Sequence, residues 1–238
     1  MSRDRRKILL VDDEPRLLDS VRMNLELEDF EVFEAHDGHE ALDQIRKVMP
    51  DLVVLDVMMP RMDGLETLTE LRRFSSVPVI MLTVKADDSD VVAGLERGAD
   101  DYVAKPFSQQ VLLSRIRAVL RRAEIAAPSS SSEVVVDENL RIDFDRHEVF
   151  VHGRPVQLRP TEFRLLYHLA TNPGRVLSHE TLLSRVWGPE YRDASHYVRL
   201  YINYLRQKIE DDPANPRYIL TERGVGYKFA DYRRRPVS

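Results

Sequence analysis

The chain has no cysteine in its 238 residues. That absence removes disulfide scaffolds, thiolate metal sites and cysteine nucleophiles together. Long apolar runs are missing too, since none approaches the roughly 18–20 residues of a membrane span. The charged start, Met1-Ser-Arg-Asp-Arg-Arg-Lys7, runs straight into a short apolar strand and contains no secretory h-region. Nor is there an internal repeat. These absences lead us to expect a soluble, cytoplasmic protein with no membrane partner.

What is present suffices for folded cores. Hydrophobic residues make up 43% of the chain and charged ones 32%, which excludes wholesale disorder. The length fits one or two domains. Formal net charge is −5, from 35 basic and 40 acidic side chains. Taken over the whole chain, that balance argues against a nucleic-acid binder.

The first half alternates short apolar runs with amphipathic stretches. Strands are expected at 8–11, 31–35, 52–55, 77–82 and 102–104. Helices are expected from Pro15 and over 38–48, 65–74, 87–97 and 108–122. Five uniformly apolar strands alternating with five helices imply a parallel sheet covered on both faces. The pattern breaks at Ala123, and Ala126-Ala-Pro-Ser-Ser-Ser-Ser132 reads as a linker with nothing to bury. Beyond it come four short β segments between Val134 and Leu158, with His152-Gly153-Arg154 as a tight connection. Three helices follow, at 161–172, 178–187 and 194–210, and then a hairpin of 218–221 and 226–229. The second half therefore reads as a helix-turn-helix core with a β-wing.

In an open α/β sheet, loops at the C-terminal strand ends converge on a ligand crevice. Asp12 and Asp13 follow the first expected strand, Asp56 the third, Thr83 the fourth and Lys105 the fifth. Acidic residues at single strand ends are commonly helix caps or solvated turns; it is the joint pattern that is specific. Three close carboxylates repel and need a cation. Oxygen donors without histidine or cysteine suit a hard divalent ion, Mg2+ above all. Magnesium, Lys105 and Thr83 together meet the needs of phosphoryl transfer. Asp56, on the middle strand, is then the nucleophile that becomes an aspartyl phosphate. Pro106 after Lys105 points to a fixed peptide, with the cis form open to it.

At these residues the sequence resembles the receiver domain of two-component response regulators. Asp12-Asp13, Leu55-Asp56-Val-Met-Met-Pro60, Asp63-Gly64, Thr83 and Ala99-Asp-Asp-Tyr-Val-Ala-Lys-Pro-Phe107 fit in order and spacing. The resemblance implies that Asp56 takes phosphate from a sensor histidine kinase. It implies that Asp12, Asp13, Asp56 and the Met58 carbonyl hold magnesium, Asp12 either directly or through water. Thr83 and Lys105 would contact the phosphoryl group. Tyr102 would be the switch, because new acceptor oxygens that pull Thr83 inward leave room for an aromatic ring. Val84 stands where the family has a small residue, and its bulk is expected to slow phosphoryl turnover. The resemblance also implies a phosphorylated homodimer built on Val91, Val92, Leu95, Asp100, Asp101, Val111, Arg115 and Arg122. Asp101 would pair with Arg115 and Asp100 with Arg122 across the dimer. Val91 and Val111 replace a basic–acidic pair, so an apolar contact, or packing within each subunit, stands in for an exposed salt bridge of about 0–1 kcal/mol.

The expected helix at 194–210 has two faces. Val198, Ile202, Leu205 and Ile209 form a buried stripe. Opposite lie His196, Arg199, Asn203 and Arg206, flanked by Leu200, Tyr204 and Gln207, with side chains able to bond base edges or phosphates. Surface helices are commonly polar; the position between a helix-turn-helix and a hairpin is what favours DNA. In the hairpin, Thr221-Glu-Arg-Gly-Val-Gly-Tyr227 puts Arg223 at the tip, where a wing meets a minor groove or a phosphate. Arg159-Pro-Thr-Glu-Phe-Arg-Leu-Leu166, Asn172-Pro-Gly-Arg-Val-Leu-Ser178, Val186-Trp-Gly188 and this wing resemble the OmpR/PhoB winged-helix effector domain. Ser195-His-Tyr-Val-Arg-Leu-Tyr201 and Leu205-Arg-Gln-Lys208 resemble the Kdp-type regulators within it more than its commoner pattern. That family implies a preceding four-stranded sheet, double-stranded promoter DNA as partner, and RNA polymerase contact through residues 187–193, with Trp187 itself open to a core role.

The expectation is therefore a flavodoxin-like α/β receiver over residues 1–122, a linker over 123–132, an α+β winged helix over 133–232 and a basic tail over 233–238. Dimerisation would raise the effective concentration of two DNA readers. Two rivals stand beside it. A phosphorylation-independent DNA binder is disfavoured by the complete acidic set, and an aspartate-based phosphohydrolase by Val57-Met58, which supplies no second carboxylate as acid. Charge is also unevenly placed: residues 1–122 carry 18 basic against 24 acidic side chains, and residues 190–238 carry 10 against 7. The negative total thus describes the first half and not the DNA-reading surface.

Overall fold

The computed structural model describes residues 5–84, 97–123, 133–188, 191 and 194–234. It falls into two units, Met1–Ala123 and Glu124–Ser238. In the first, the apolar runs become β1 (Lys7–Val11), β2 (Glu31–Ala35), β3 (Leu52–Asp56), β4 (Val79–Thr83) and β5 (Asp101–Ala104). They form one parallel sheet in the order β2-β1-β3-β4-β5, the flavodoxin-like order. Between them run α1 (Pro15–Leu27), α2 (Gly38–Val48) and α3 (Gly64–Arg72), and α4 (Gln109–Ala123) closes the unit. The expected helix at 87–97 falls almost wholly outside the described residues, and Val91, Val92 and Leu95 with it.

Strand alternation divides the core into two layers. Ile8, Leu10, Leu52, Val54, Ile80, Leu82 and Val103 pack with Leu18, Val21 and Leu25 of α1 and Leu112, Ile116 and Val119 of α4. Their strand neighbours Leu9, Val11, Val53, Leu55, Val79 and Met81 are buried too. Local chemistry starts each helix. Pro15 opens α1, Asp37 accepts from Glu40 N at 2.9 Å, and Asp63 with Glu66 forms a reciprocal capping box on α3.

The second unit begins with an antiparallel sheet of β6 (Glu133–Val135), β7 (Leu140–Asp143), β8 (Glu148–Val151) and β9 (Arg154–Val156) in sequence order. His152 (φ 50°) and Gly153 (φ 72°) make the β8–β9 turn, the two left-handed residues that a tight hairpin requires. Then come α5 (Pro160–Ala170), β10 (Val176–Ser178), α6 (His179–Val186), α7 (Ser195–Ile209), β11 (Ile219–Glu222) and β12 (Gly226–Phe229). The wing is a correction to the sequence reading. It is not a lone hairpin but a three-stranded sheet in the order β10-β12-β11. Gly226 is required there, because a Cβ on it would lie 2.0 Å from Leu177 O.

Leu165, Leu166, Leu182, Leu183, Val198, Ile202 and Leu205 bring the three helices together. Trp187, wholly buried, stands edge-on to Tyr197 and Tyr201, with ring centroids 5.9 and 5.2 Å away. Its role is core. Glu162 on α5 is also fully buried, and it holds Arg159 Nε at 2.8 Å and Lys208 Nζ at 2.6 Å. Buried charges persist only when paired in this way.

His168, in the last turn of α5, is pushed down to about 4 by burial, with the nearby Arg164 and Arg185 adding repulsion. The unfolded chain takes up this proton near the ordinary histidine value, well above the folded chain. The second unit is therefore expected to lose stability as pH falls from about 6.5 to about 4, by up to ~3 kcal/mol, with no further loss from this group below that. Urea melts of the wild type and His168→Gln check it: the substitution flattens the slope in this window, and an unchanged slope refutes the assignment.

Candidate functional site

Parallel strands deliver their C-terminal ends to one rim, and the order reversal between β1 and β3 opens a crevice there. Asp12 and Asp13 leave β1, Asp56 ends β3, Thr83 ends β4 and Lys105 follows β5. The three carboxylates converge, with one oxygen from each lying within 4.8 Å of the others. Asp12 and Asp56 are each 2% exposed, Thr83 is buried, and Asp13 faces solvent. Lys105 Nζ bridges the two buried acids, 2.7 Å from Asp12 Oδ2 and 2.7 Å from Asp56 Oδ1. The Lys105–Pro106 peptide is cis.

Backbone contacts fix the loop. Met58 N donates to Asp56 Oδ2 at 3.1 Å, Glu14 N to Asp12 Oδ1 at 2.9 Å and Lys105 N to Thr83 O at 2.7 Å. A Cβ on Gly64 would sit 2.0 Å from Asp56 O, so only glycine lets α3 start against the Asp56 peptide. Val84 is 64% exposed beside this rim, and Tyr102 on β5 is half-buried.

Burial raises the Asp56 carboxyl above the usual range. The Lys105 hydrogen bond opposes that rise, and the Asp12 charge adds to it. Burial alone would lower Lys105, but its bonds to Asp12 and Asp56 prevail and hold the ammonium above its ordinary value. Among the described residues, one cation against three carboxylates leaves an excess of negative charge. That excess, with an all-oxygen donor set and no histidine, fits Mg2+.

Of the residues expected at a dimer face, Asp100 is 1% exposed, lies 3.2 Å from Arg72 Nη2 and accepts from Val79 N at 3.0 Å. Arg122 Nη2 and Arg115 Nη1 both lie 3.8 Å from the buried Asp101. Val111 is 45% exposed.

On α7 the exposed face carries Arg199, Asn203 and Gln207, with His196, Leu200 and Tyr204 half-buried beside it. Tyr204 lies under the Arg159 guanidinium, 4.6 Å from ring centroid to Cζ. Arg223 is exposed before Gly224, whose φ is 77°. Arg206 and Thr221 also bond within the chain. Arg206 Nη2 donates to Ile219 O at 2.7 Å and to Thr221 Oγ1 at 2.8 Å. Its partner in that joint, Glu210, was missed, because a carboxylate at a helix end looks like a solvated charge in sequence.

The model of the response regulator receiver domain matches residues 8–117, and that of the C-terminal domain of transcriptional regulatory proteins matches residues 153–229. The alkaline phosphatase synthesis regulator PhoP of Bacillus subtilis is 42% identical over 95% of this chain and 97% of its own length. KdpE of Mycobacterium tuberculosis is 41% identical over 93% and 98%. The crystal structure of the Thermotoga maritima response regulator DrrB, described as an OmpR/PhoB homolog, is 36% identical with a TM-score of 0.51, covering 95% of this chain and 99% of that one. The chain belongs to the OmpR/PhoB response regulators. As a two-component response regulator it joins a receiver to a DNA-binding domain, in a family of transcriptional regulators. The structure of a RitR mutant superposes on this response regulator with a TM-score of 0.77 at 29% identity, covering 95% of this chain and 99% of that one. Among its described residues no helix is long and apolar enough to cross a membrane.

Proposed function

We propose that this response regulator is switched by phosphorylation of Asp56 and reads promoter DNA through α7 and the wing. The observation that carries the proposal is the Lys105 ammonium held 2.7 Å from both Asp12 and Asp56 beside Thr83. A sensor histidine kinase supplies the phosphoryl group. An Asp56 oxygen bonds to phosphorus as the P–N bond to the kinase histidine breaks, and the bond electrons return to the imidazole, which takes up a proton. Lys105 and the Thr83 hydroxyl hold the phosphoryl oxygens. Asp12, Asp13, Asp56 and the Met58 carbonyl hold magnesium, which when bound neutralises charge on the transferring group. Water later cleaves the acyl phosphate. The chain catalyses only its own phosphorylation and dephosphorylation. The receiver occupies residues 1–122 and the effector 133–232, in the cytoplasm.

Phosphorylation favours a receiver homodimer that places two winged helices on adjacent half-sites and presents them to RNA polymerase. Arg199, Asn203 and Arg223, with His196, Leu200 and Tyr204 beside them, meet the duplex. The test is self-association and DNA affinity of the full chain with and without magnesium and beryllofluoride, a phosphoryl mimic. Both rise together under this reading, and a mimic that changes neither refutes it.

The metal site has its own test. Without magnesium, Asp13→Asn relieves repulsion and is expected to stabilise the first unit by about 0.5–1 kcal/mol. Magnesium raises the wild-type melting temperature in proportion to its binding, and the variant loses that rise. A variant that keeps the full magnesium response removes Asp13 from the site.

A further inference from the structure

Two charged side chains at the end of α7 hold the backbone where the wing begins. Arg206 lies in the last turn of α7 and Glu210 caps that helix, one turn further on. Side chains at this spacing share a helix face. The Arg206 guanidinium donates to Ile219 O through Nε at 3.1 Å and Nη2 at 2.7 Å, and Nη2 reaches Thr221 Oγ1 at 2.8 Å. From the other side, the Glu210 carboxylate accepts from Ile219 N at 2.8 Å, Tyr218 N at 2.9 Å and Arg217 N at 2.7 Å. Ile219 thus has both its N–H and its C=O gripped by charged side chains of one helix, and it is the first residue of β11. Arg206 also faces the β12 ring of Tyr227, 5.9 Å from its centroid.

Hydrogen bonds to charged groups are the strong ones, and bonds to both sides of one residue leave the strand little freedom to shift. A protein that sets a helix in one groove and a wing tip beside it needs a fixed offset between them, or it must order the wing on binding. We propose that Arg206 and Glu210 are positioning residues: they lock the wing to α7 and so fix where Arg223 meets the duplex relative to Arg199 and Asn203, with Arg206 making no DNA contact itself. This rests on the DNA-reading role above, and the two are separable by experiment.

The first measurement needs no DNA. In the full chain, amide hydrogen exchange over residues 219–229 is expected to accelerate about tenfold or more in Arg206→Gln and in Glu210→Gln, while α5 keeps the wild-type rate. Thr221→Val, which removes one bond, gives a smaller change in the same direction. Wild-type exchange in the wing, or equal acceleration throughout the second unit, overturns the proposal.

The second measurement uses the duplex that the wild-type chain enriches from a random-sequence library. Arg206→Gln and Arg223→Gln each weaken binding about tenfold and lower the salt slope by about 1, and the double variant does no worse than either alone. Additive losses, with a slope lower by about 2, make Arg206 a direct phosphate contact and overturn the proposal. A chain that enriches no duplex fails the DNA reading, and hydrogen exchange still decides whether the clamp exists.

Discussion

Asp56→Asn is expected to take up no phosphoryl group from acetyl phosphate and magnesium, with incorporation by intact mass falling to the level seen without donor. An amide has no anionic oxygen to attack phosphorus and cannot form the acyl phosphate, so the effect is complete rather than graded. The fold survives. The substitution is isosteric and removes one of three crowded negative charges, although its single oxygen satisfies either Lys105 or Met58 N and not both. Stability therefore stays within about 1 kcal/mol of the parent. The wild-type label is released by hydroxylamine, as an acyl phosphate must be. Undiminished incorporation into the variant would place the phosphoacceptor elsewhere.

The largest loss of stability is expected at Glu162→Ala. The carboxylate is wholly buried and accepts from Arg159 N and Nε, each at 2.8 Å, and from Lys208 Nζ at 2.6 Å. Its removal strands the buried Arg159 guanidinium and unties α5 from the end of α7. Breaking one partner out of a buried ionic group costs about 3–5 kcal/mol, a large part of the usual stability of a domain. Acid acts on the same contact. Burial would raise this carboxyl, but Arg159 and Lys208 prevail and lower it. A depressed acid stabilises the fold above its ordinary value, and that contribution disappears as pH falls through the lowered one. Urea denaturation measures both effects, and a loss under about 1 kcal/mol in the alanine variant would show that the network is dispensable.

These two sites differ in how far the sequence revealed them. The acidic rim was legible because β1, β3 and β4 are uninterrupted apolar runs, and an Asp, Thr or Lys at the end of such a run stands out. The parallel order then brings those ends together without further information. Periodicity also located Val198, Ile202, Leu205 and Ile209 on α7. It gave no sign that Tyr197 and Tyr201 are buried with them, because the three-helix core wraps further round α7 than a single stripe implies. The strand β10 is three residues long, too short to show any period, and its partner lies fifty residues away in β12. Charged side chains were the least legible in sequence. Arg72 meets Asp100, Lys208 meets Glu162 and Arg206 meets Ile219 O across long stretches of chain, and Glu210 takes the backbone amides of Arg217, Tyr218 and Ile219 across a loop. Hydropathy cannot announce that kind of pairing.

The chain has a single tryptophan, and Trp187 is sealed in the core of the second unit against two tyrosine rings. Excited selectively, its fluorescence reports the folding of the DNA-binding half alone, while the receiver half is optically silent at that wavelength. Far-ultraviolet circular dichroism sees both halves. Recorded on the same sample, the two signals separate the stability of the switch from that of the reader without cutting the chain or adding a label.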